Sequence, residues 1–122
     1  MIEGVVGVII WTESLDRLLS FYRDTLGLEP HSLTPDFASF KWGGVRLGIG
    51  RHSEIEGVTT EPHRVMVNLG VDDIQREYDA LRSRGVRFTR RPELEHWGGW
   101  VSTFSDPDGN TLQLMQLPEQ DK

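Results

Sequence analysis

An internal repeat constrains the fold of this chain more than any other feature of its sequence. A strand-like run over residues 5–11 is followed by an amphipathic stretch that ends at Gly27, and then by three short strand-like pieces. The same order returns after residue 63, where the amphipathic stretch ends at Gly85. One such module is too small to bury a sheet by itself, and a repeated supersecondary unit determines the architecture. The sequence therefore predicts two β-α-β-β-β modules.

The two amphipathic stretches are predicted to be helices. In the first, leucines and a tyrosine recur with helical spacing, Ser14 or Thr12 can cap the start, and Gly27 suits the position after the end. In the second, Asp72 and Gln75 form a variant of the capping box. Each helix is expected to cover one face of the sheet in its own module.

The strands are predicted from period-two alternation and from the turn residues between them. They are residues 5–11, 28–33, 37–42 and 45–49 in the first module, and residues 64–71, 86–90, 100–105 and 111–117 in the second. Gly43-Gly44 joins two of them as a hairpin, and "DPDGN" (106–110) is a turn.

We therefore expect an α+β fold in which duplicated βαβββ modules form a curved eight-stranded trough. The expected organisation is a single domain, 1–122, made of modules at about 4–50 and 64–117 that are joined by a linker at 51–63.

Composition excludes several classes of function. The net charge is −6, which argues against a nucleic-acid partner because no basic stripe could replace counterions. The sequence contains no run of about 18 apolar residues, so no membrane span is predicted. The acidic start "MIEGVVGVIIW" is unlike a signal peptide. The absence of cysteine excludes disulfides and thiolate chemistry. A cytoplasmic protein is expected.

Three stretches carry a family resemblance. "SFYRDTLGL", "VDDI…LRSRGV" and "DPDGNTLQL", together with the duplication, resemble the vicinal oxygen chelate superfamily of glyoxalase I, bleomycin-resistance proteins and extradiol dioxygenases. The resemblance covers nearly the whole chain. It implies the trough-shaped fold named above and a homodimer with sites at or near the interface.

The same resemblance implies where a divalent metal would be bound. Enzymes of the superfamily use one ligand from each of four strands, and those positions fall on Gly7, Gly48, Met66 and Gln113. Glycine has no side-chain donor, a thioether suits soft copper(I), and one neutral amide is a weak ligand for a hard or borderline cation. The four histidines show no ligand spacing on a predicted element. A metal-free protein without a cofactor is expected.

Strand alternation then predicts what lines the trough. The expected ligand-binding residues are Gly7, Ile9, Trp11, Arg46, Gly48, Met66, Asn68, Trp97, Trp100, Gln113 and Met115. Glycine at two former ligand positions is expected to widen the cavity. Indole rings stack on planar or cationic ligands, but filling a core or a dimer interface is the favoured role for Trp42 and stays an open alternative for Trp11 and Trp100. Arg46 could neutralise an anionic ligand or could point outward.

The function expected from these residues is binding of a small aromatic or cationic molecule, as in sequestration or resistance. One alternative is an enzyme of the same superfamily with a non-standard or missed site, for which Glu95 and His96 are candidate acid and base. A second alternative is a non-catalytic subunit or regulatory module whose trough is filled by its own side chains. The sequence leaves the ligand unidentified.

Overall fold

The computed structural model describes residues 1–119, which divide into two compact units, one over Met1–Gly57 and one that begins at Val58. The first unit contains β1 (Gly7–Thr12), α1 (Leu15–Leu19), a π-helical segment (Ser20–Thr25), β2 (Ser32–Thr34), β3 (Phe37–Trp42) and β4 (Val45–Arg51). The second contains β5 (Met66–Gly70), α2 (Ile74–Ser83), β6 (Phe88–Leu94), β7 (Trp100–Ser105) and β8 (Thr111–Gln116).

Each unit forms one four-stranded mixed sheet. The strand order is β1-β4-β3-β2 in the first unit and β5-β8-β7-β6 in the second. In both, the first strand is parallel to the last and the remaining neighbours are antiparallel. The predicted α+β fold of duplicated βαβββ modules is confirmed. The expectation of a single domain with a linker over residues 51–63 stays a prediction.

The core of each unit lies between its helix and one face of its sheet. In the first unit, Leu18, Tyr22, Phe40 and Ile49 are fully buried. In the second, the rings of Tyr78, Phe88 and Phe104 form a continuous cluster, with centroids 4.5 Å and 5.2 Å apart. Complete burial of one such side chain contributes about 1.5–3 kcal/mol. These contacts therefore fix which face of each sheet carries the helix.

The first helix differs from its prediction. Its α-helical part is only five residues long and continues as a π-helical turn, in which the amide of Leu26 bonds to the carbonyl oxygen of Phe21. Ser14 occupies the cap position without a side-chain cap bond, and the Thr12 hydroxyl accepts from the Ser14 amide instead. Gly27 has φ = +78°, which confirms its predicted role after the helix.

Other boundaries also differ, among them β6, which spans Phe88–Leu94 rather than residues 86–90; two of the differences have a local cause. Strand β2 begins at Ser32 rather than residue 28, since Pro30 has no amide to donate and restricts the residue before it. The cap of α2 is Asp73, not Asp72: its carboxylate accepts from the Arg76 amide at 3.2 Å.

Within residues 1–119, no helix is long and apolar enough to cross a membrane.

Candidate functional site

The face of each sheet away from its helix is called here the helix-free face. Side chains alternate between the two faces of a strand. In β4, Leu47 and Ile49 are buried on the helix side. Arg46, Gly48 and Gly50 therefore lie on the helix-free face, where the sequence placed them.

Strand register arranges the helix-free face of the first unit in three rows. The first row is Gly7, Arg46 and Lys41; the second is Ile9, Gly48, Ser39 and Ser32; the third is Trp11, Gly50, Phe37 and Thr34. The first row has two cations, the second has a pair of hydroxyls, and the third has two aromatic rings. Polarity therefore changes along the strands.

The third row is an aromatic group. The rings of Trp11 and Phe37 meet edge to face, with centroids 6.0 Å apart, and the imidazole of His52 lies 5.3 Å from the Trp11 ring. Trp11 is 41% exposed, so it is not a core residue. The pair presents a partly exposed aromatic surface.

Phe37 overturns the expectation that glycine widens the cavity. A β-carbon built on Gly48 would lie 2.5 Å from Cζ of Phe37, and one built on Gly50 would lie 2.6 Å from both Phe37 and Trp11. The space released by these glycines is therefore occupied by aromatic rings. Gly7 is also constrained, because its β-carbon would lie 2.9 Å from the carbonyl oxygen of Arg46.

A cavity of about 390 Å³ remains on this face. Its lining is Val6–Ile9, Ser32, Phe37, Ser39, Arg46 and Gly48. The hydroxyls of Ser32 and Ser39 lie 2.7 Å apart within it. An apolar concavity with a few placed polar groups is typical of a small-molecule site.

The charges on this face are unusual for an acidic protein. Arg46 pairs directly with Lys41 across β3 and β4, and both side chains are exposed. In the part of the chain that the structure describes, neither makes an ion pair. Arg51, on the other face of β4, is paired with Asp36 at 3.3 Å.

The helix-free face of the second unit is built on the same register with different side chains. Its rows are Met66, Thr111 and Ser105; Asn68, Gln113, Thr103 and Arg90; and Gly70, Met115, Val101 and Glu93. The amide nitrogen of Gln113 donates to the Thr103 hydroxyl at 3.1 Å. The Thr111 hydroxyl bonds to the carbonyl oxygen of Pro62 and lies 3.3 Å from Nδ1 of His63.

The two sheets show that the four implied metal positions are equivalent in pairs. Gly7 and Met66 each begin the first row, while Gly48 and Gln113 each occupy the β4 or β8 position of the second row. Two glycines, a thioether and a hydrogen-bonded amide do not fit a hard or borderline divalent cation. Within residues 1–119, no group of three His, Asp or Glu side chains could hold a metal ion.

The two tryptophans of "WGGW" lie in different places, and Trp100 is not on the helix-free face. Trp100 shares its side of β7 with Phe104, which packs beneath α2. Its β8 partner Gln116 accepts a hydrogen bond from the Ile74 amide at the start of α2. Trp97 lies in the connection between β6 and β7, folded over Gly99. Trp100 therefore lies on the helix side of its sheet, which is the core-facing alternative that the sequence left open beside ligand binding.

The candidate acid Glu95 is occupied by an ion pair. Its carboxylate lies 2.8 Å from Nη2 of Arg90, and Glu93 contacts Nε of the same guanidinium at 2.5 Å. These hydrogen bonds, the one to Glu93 first, raise the pKa of Arg90 above its usual value. Glu95 acts here as a counter-ion for Arg90. In the described part of the chain, no hydrogen bond or ion pair joins its carboxylate to the imidazole of the adjacent His96.

The sequence prediction missed the β3 residues of this face: Phe37, Ser39 and Lys41. The sequence contains a signal that could have identified these residues. The two-residue turn at Gly43-Gly44 sets Trp42 opposite Val45, and this first pair determines every other residue pair between β3 and β4. The roles assigned to the predicted ligand-binding residues stay predictions.

Comparison with known proteins gives consistent matches. The model of the glyoxalase/bleomycin resistance protein/dioxygenase superfamily matches residues 4–114. The lactoylglutathione lyase of Haemophilus influenzae is 31% identical in an alignment of 114 positions that covers 84% of this chain and 84% of that protein. The bleomycin resistance protein of Klebsiella pneumoniae is 36% identical over 55 residues, 39% of this chain and 44% of that protein. The solved structure of a superfamily member from Sphaerobacter thermophilus has a TM-score of 0.72 at 30% identity, covering 95% of this chain and 98% of its own.

Proposed function

The chain belongs to the glyoxalase/bleomycin resistance protein/dioxygenase superfamily, and from that premise we propose that it binds a small aromatic molecule without a metal ion. The proposed site is the helix-free face of the first unit. The observation that carries the proposal is the cavity of about 390 Å³, whose lining joins an apolar wall to Arg46 and a serine pair. Such a lining provides both contact area and orientation.

The aromatic part of the ligand follows from Phe37 and Trp11. Their rings leave an exposed edge at one end of the face, and offset or edge-to-face contacts with another ring contribute about 0.5–1.5 kcal/mol beyond area burial. A cationic ligand, the other half of the expectation from sequence, has less support. The net charge of −6 would attract a cationic ligand to the protein over long range, but the charged side chain in the cavity lining is the cation Arg46, which would repel it.

Independence from metal follows from the donor set. The four implied metal positions offer no carboxylate or imidazole. Phe37 also covers Gly48, so a metal-coordinating side chain at that position would first have to displace the Phe37 ring. We therefore infer that the ligand is held by packing and hydrogen bonds alone.

A sequestration or resistance role is the nearest model. It is supported by the resemblance to the Klebsiella protein, which is named for bleomycin resistance. We keep the cytoplasm as the expected compartment, because a chain without cysteine has no need of an oxidising one.

A homodimer is part of the proposal. β1 is an edge strand of its sheet, and Val5, Val6, Val8 and Ile9 on or before it are exposed. Exposed apolar edges are suited to pairing with a second chain. A solution mass twice that of the 13.9 kDa chain, measured by light scattering, is the expected result; the mass of one chain would remove the dimer from the proposal.

An enzyme is the second candidate. The Haemophilus relative is named a lactoylglutathione lyase, so that activity is the first to assay, with and without added nickel or zinc. Turnover that is lost on His96→Ala would favour this candidate. The third possibility, a module whose site is filled by its own side chains, is favoured by the position of Phe37 over Gly48 and Gly50.

Titration of the chelator-treated protein with neutral 2-naphthamide tests the binding proposal, with tryptophan fluorescence as the readout. Ile9 is 49% exposed in the cavity wall, so Ile9→Tyr should fill the cavity without disturbing the core. We expect it to weaken binding at least about tenfold, by loss of contact area. Asn68→Tyr, at the equivalent position of the second unit, is the matched control and should bind like the unmodified protein.

Saturable binding that Ile9→Tyr weakens and Asn68→Tyr does not would support the proposed site. If Asn68→Tyr weakened binding instead, the site would belong to the second unit. Absence of any fluorescence change would favour the filled module.

A further inference from the structure

We propose that the ligand of the first unit carries an anionic group, such as a carboxylate, which is bound by Arg46 with Lys41 beside it. This inference rests on the proposed function and names the class of molecule that the same site takes: a small aromatic anion.

Arg46 and Lys41 are placed where both can reach a ligand in the cavity. Arg46 lies in the cavity lining, and its neighbours in the row are Gly7, which has no side chain, and Lys41, which is directly opposite. Side chains at such a cross-strand pair have β-carbons about 4.5–5.5 Å apart. Two cationic heads on this spacing can approach one carboxylate together, and the guanidinium can do so through two parallel hydrogen bonds.

The charges of Arg46 and Lys41 are not balanced by a carboxylate of the described chain. Like charges directly opposite each other destabilise a strand pair. The chain has 19 acidic and 13 basic residues, so carboxylates are plentiful, yet none in the described residues 1–119 pairs with Arg46 or Lys41. By contrast, Arg90 on the second unit's helix-free face has two carboxylate partners. A bound anion would relieve the repulsion that Arg46 and Lys41 retain.

The order of the rows on the helix-free face also matches an aromatic anion. Arg46 and Gly50 are four residues apart in β4, which is about 13 Å at 3.3 Å per residue. Over that length the face passes from two cations to a serine pair and then to Phe37 and Trp11. A molecule with a carboxylate at one end and a ring system at the other matches this order.

The second unit provides the internal contrast. At the positions equivalent to Arg46 and Lys41 it has Thr111 and Ser105, both neutral. The cationic row is therefore a property of the first unit and not of the repeated fold.

Three probes of the same shape test the inference: 2-naphthoate, neutral 2-naphthamide and cationic 2-naphthylmethylammonium. Affinity for the full-length protein is measured by fluorescence titration at low salt. We expect 2-naphthoate to bind most tightly, and Arg46→Gln to weaken it by about tenfold or more, the loss expected for a hydrogen bond between charged groups. The affinity for 2-naphthamide should change little. Arg46→Lys should restore part of the loss, and added salt should weaken 2-naphthoate selectively.

Arg51→Gln is the matched control. It removes the same charge from the same strand, but from the helix side, so it should leave the preference for 2-naphthoate intact. If all three probes bind equally, or if Arg51→Gln acts like Arg46→Gln, the anion inference is overturned while the proposed function stands. If none binds, the proposed function fails and the inference with it. If Arg46→Gln dissociates a dimer without changing the probe preference, the cations serve the interface and the inference is overturned.

Discussion

The phenyl ring of Phe37 lies over Gly48 on the neighbouring strand, where a β-carbon would come within 2.5 Å of Cζ. The two residues belong to adjacent rows of the helix-free face, and the ring also covers Gly50. This relationship determines the depth of the cavity, because Phe37 occupies the space that the absent side chains leave.

Gly48→Ala should destabilise the protein through this contact. Forcing the ring aside in a packed site costs about 1–3 kcal/mol in the free energy of unfolding. Denaturant unfolding of Gly48→Ala, Phe37→Ala and the double variant checks the cause. The double variant should lose less than the sum of the two single changes, since the clash is absent without the ring.

Gly70→Ala is the control for that experiment. Gly70 is a strand residue without positive φ, and its β-carbon would meet nothing within 4 Å. The change should be neutral or stabilise by up to about 1 kcal/mol. Equal losses for Gly48→Ala and Gly70→Ala would show that the Phe37 contact is unimportant.

Asp106 is expected to stabilise the turn between β7 and β8. Its buried carboxylate accepts from the amide of Asp108 at 2.9 Å, and from the amide and side chain of Asn110 at 3.0 and 2.9 Å. Asp106→Ala leaves those donors without this acceptor and should lower the free energy of unfolding by about 1–3 kcal/mol. Asp106→Asn keeps a side-chain carbonyl for the backbone amides, so its loss should be smaller. A thermal or denaturant transition unchanged in Asp106→Ala would contradict this role.

Asp73 rather than Asp72 is expected to control the start of α2. Removing the carboxylate that accepts from the Arg76 amide should cost about 0.5–2 kcal/mol in Asp73→Ala. Asparagine is as good an N-cap as aspartate, so Asp73→Asn should keep most of the stability. Helix content and unfolding midpoints of the two variants provide the comparison; a loss of equal size in both would point to charge instead of capping.

Much of the fold could be predicted from the sequence because its signals are local. Gly27 and Gly85 end the two helical stretches with positive φ, and period-two alternation identifies Arg46 and Gly48 as residues of one face of β4. Pro30 also indicates where β2 cannot begin, although the strand prediction ignored it. The start of α2 was misplaced by one residue because Asp72 and Asp73 are adjacent carboxylates and either could cap the helix; in the structure Asp73 accepts from the Arg76 amide.

The candidate site was less predictable because it depends on pairs across strands. Alternation along β4 identifies Gly48, but the register through the Gly43-Gly44 turn is needed to set Ser39 opposite it. Trp100 shares its side of β7 with Phe104, which is fully buried, so strand alternation favours the core-facing alternative for Trp100. The direction of the Phe37 ring depends on side-chain packing, which no sequence pattern specifies.

The most direct test of the central claim is the affinity of 2-naphthoate before and after exhaustive chelation, with the metal content of both samples determined. If binding on the first unit is independent of metal, the dissociation constants of 2-naphthoate before and after chelation should agree within about twofold, because no metal ion coordinates the ligand. Loss of binding on chelation, with recovery on adding nickel, zinc, iron or manganese, would contradict it.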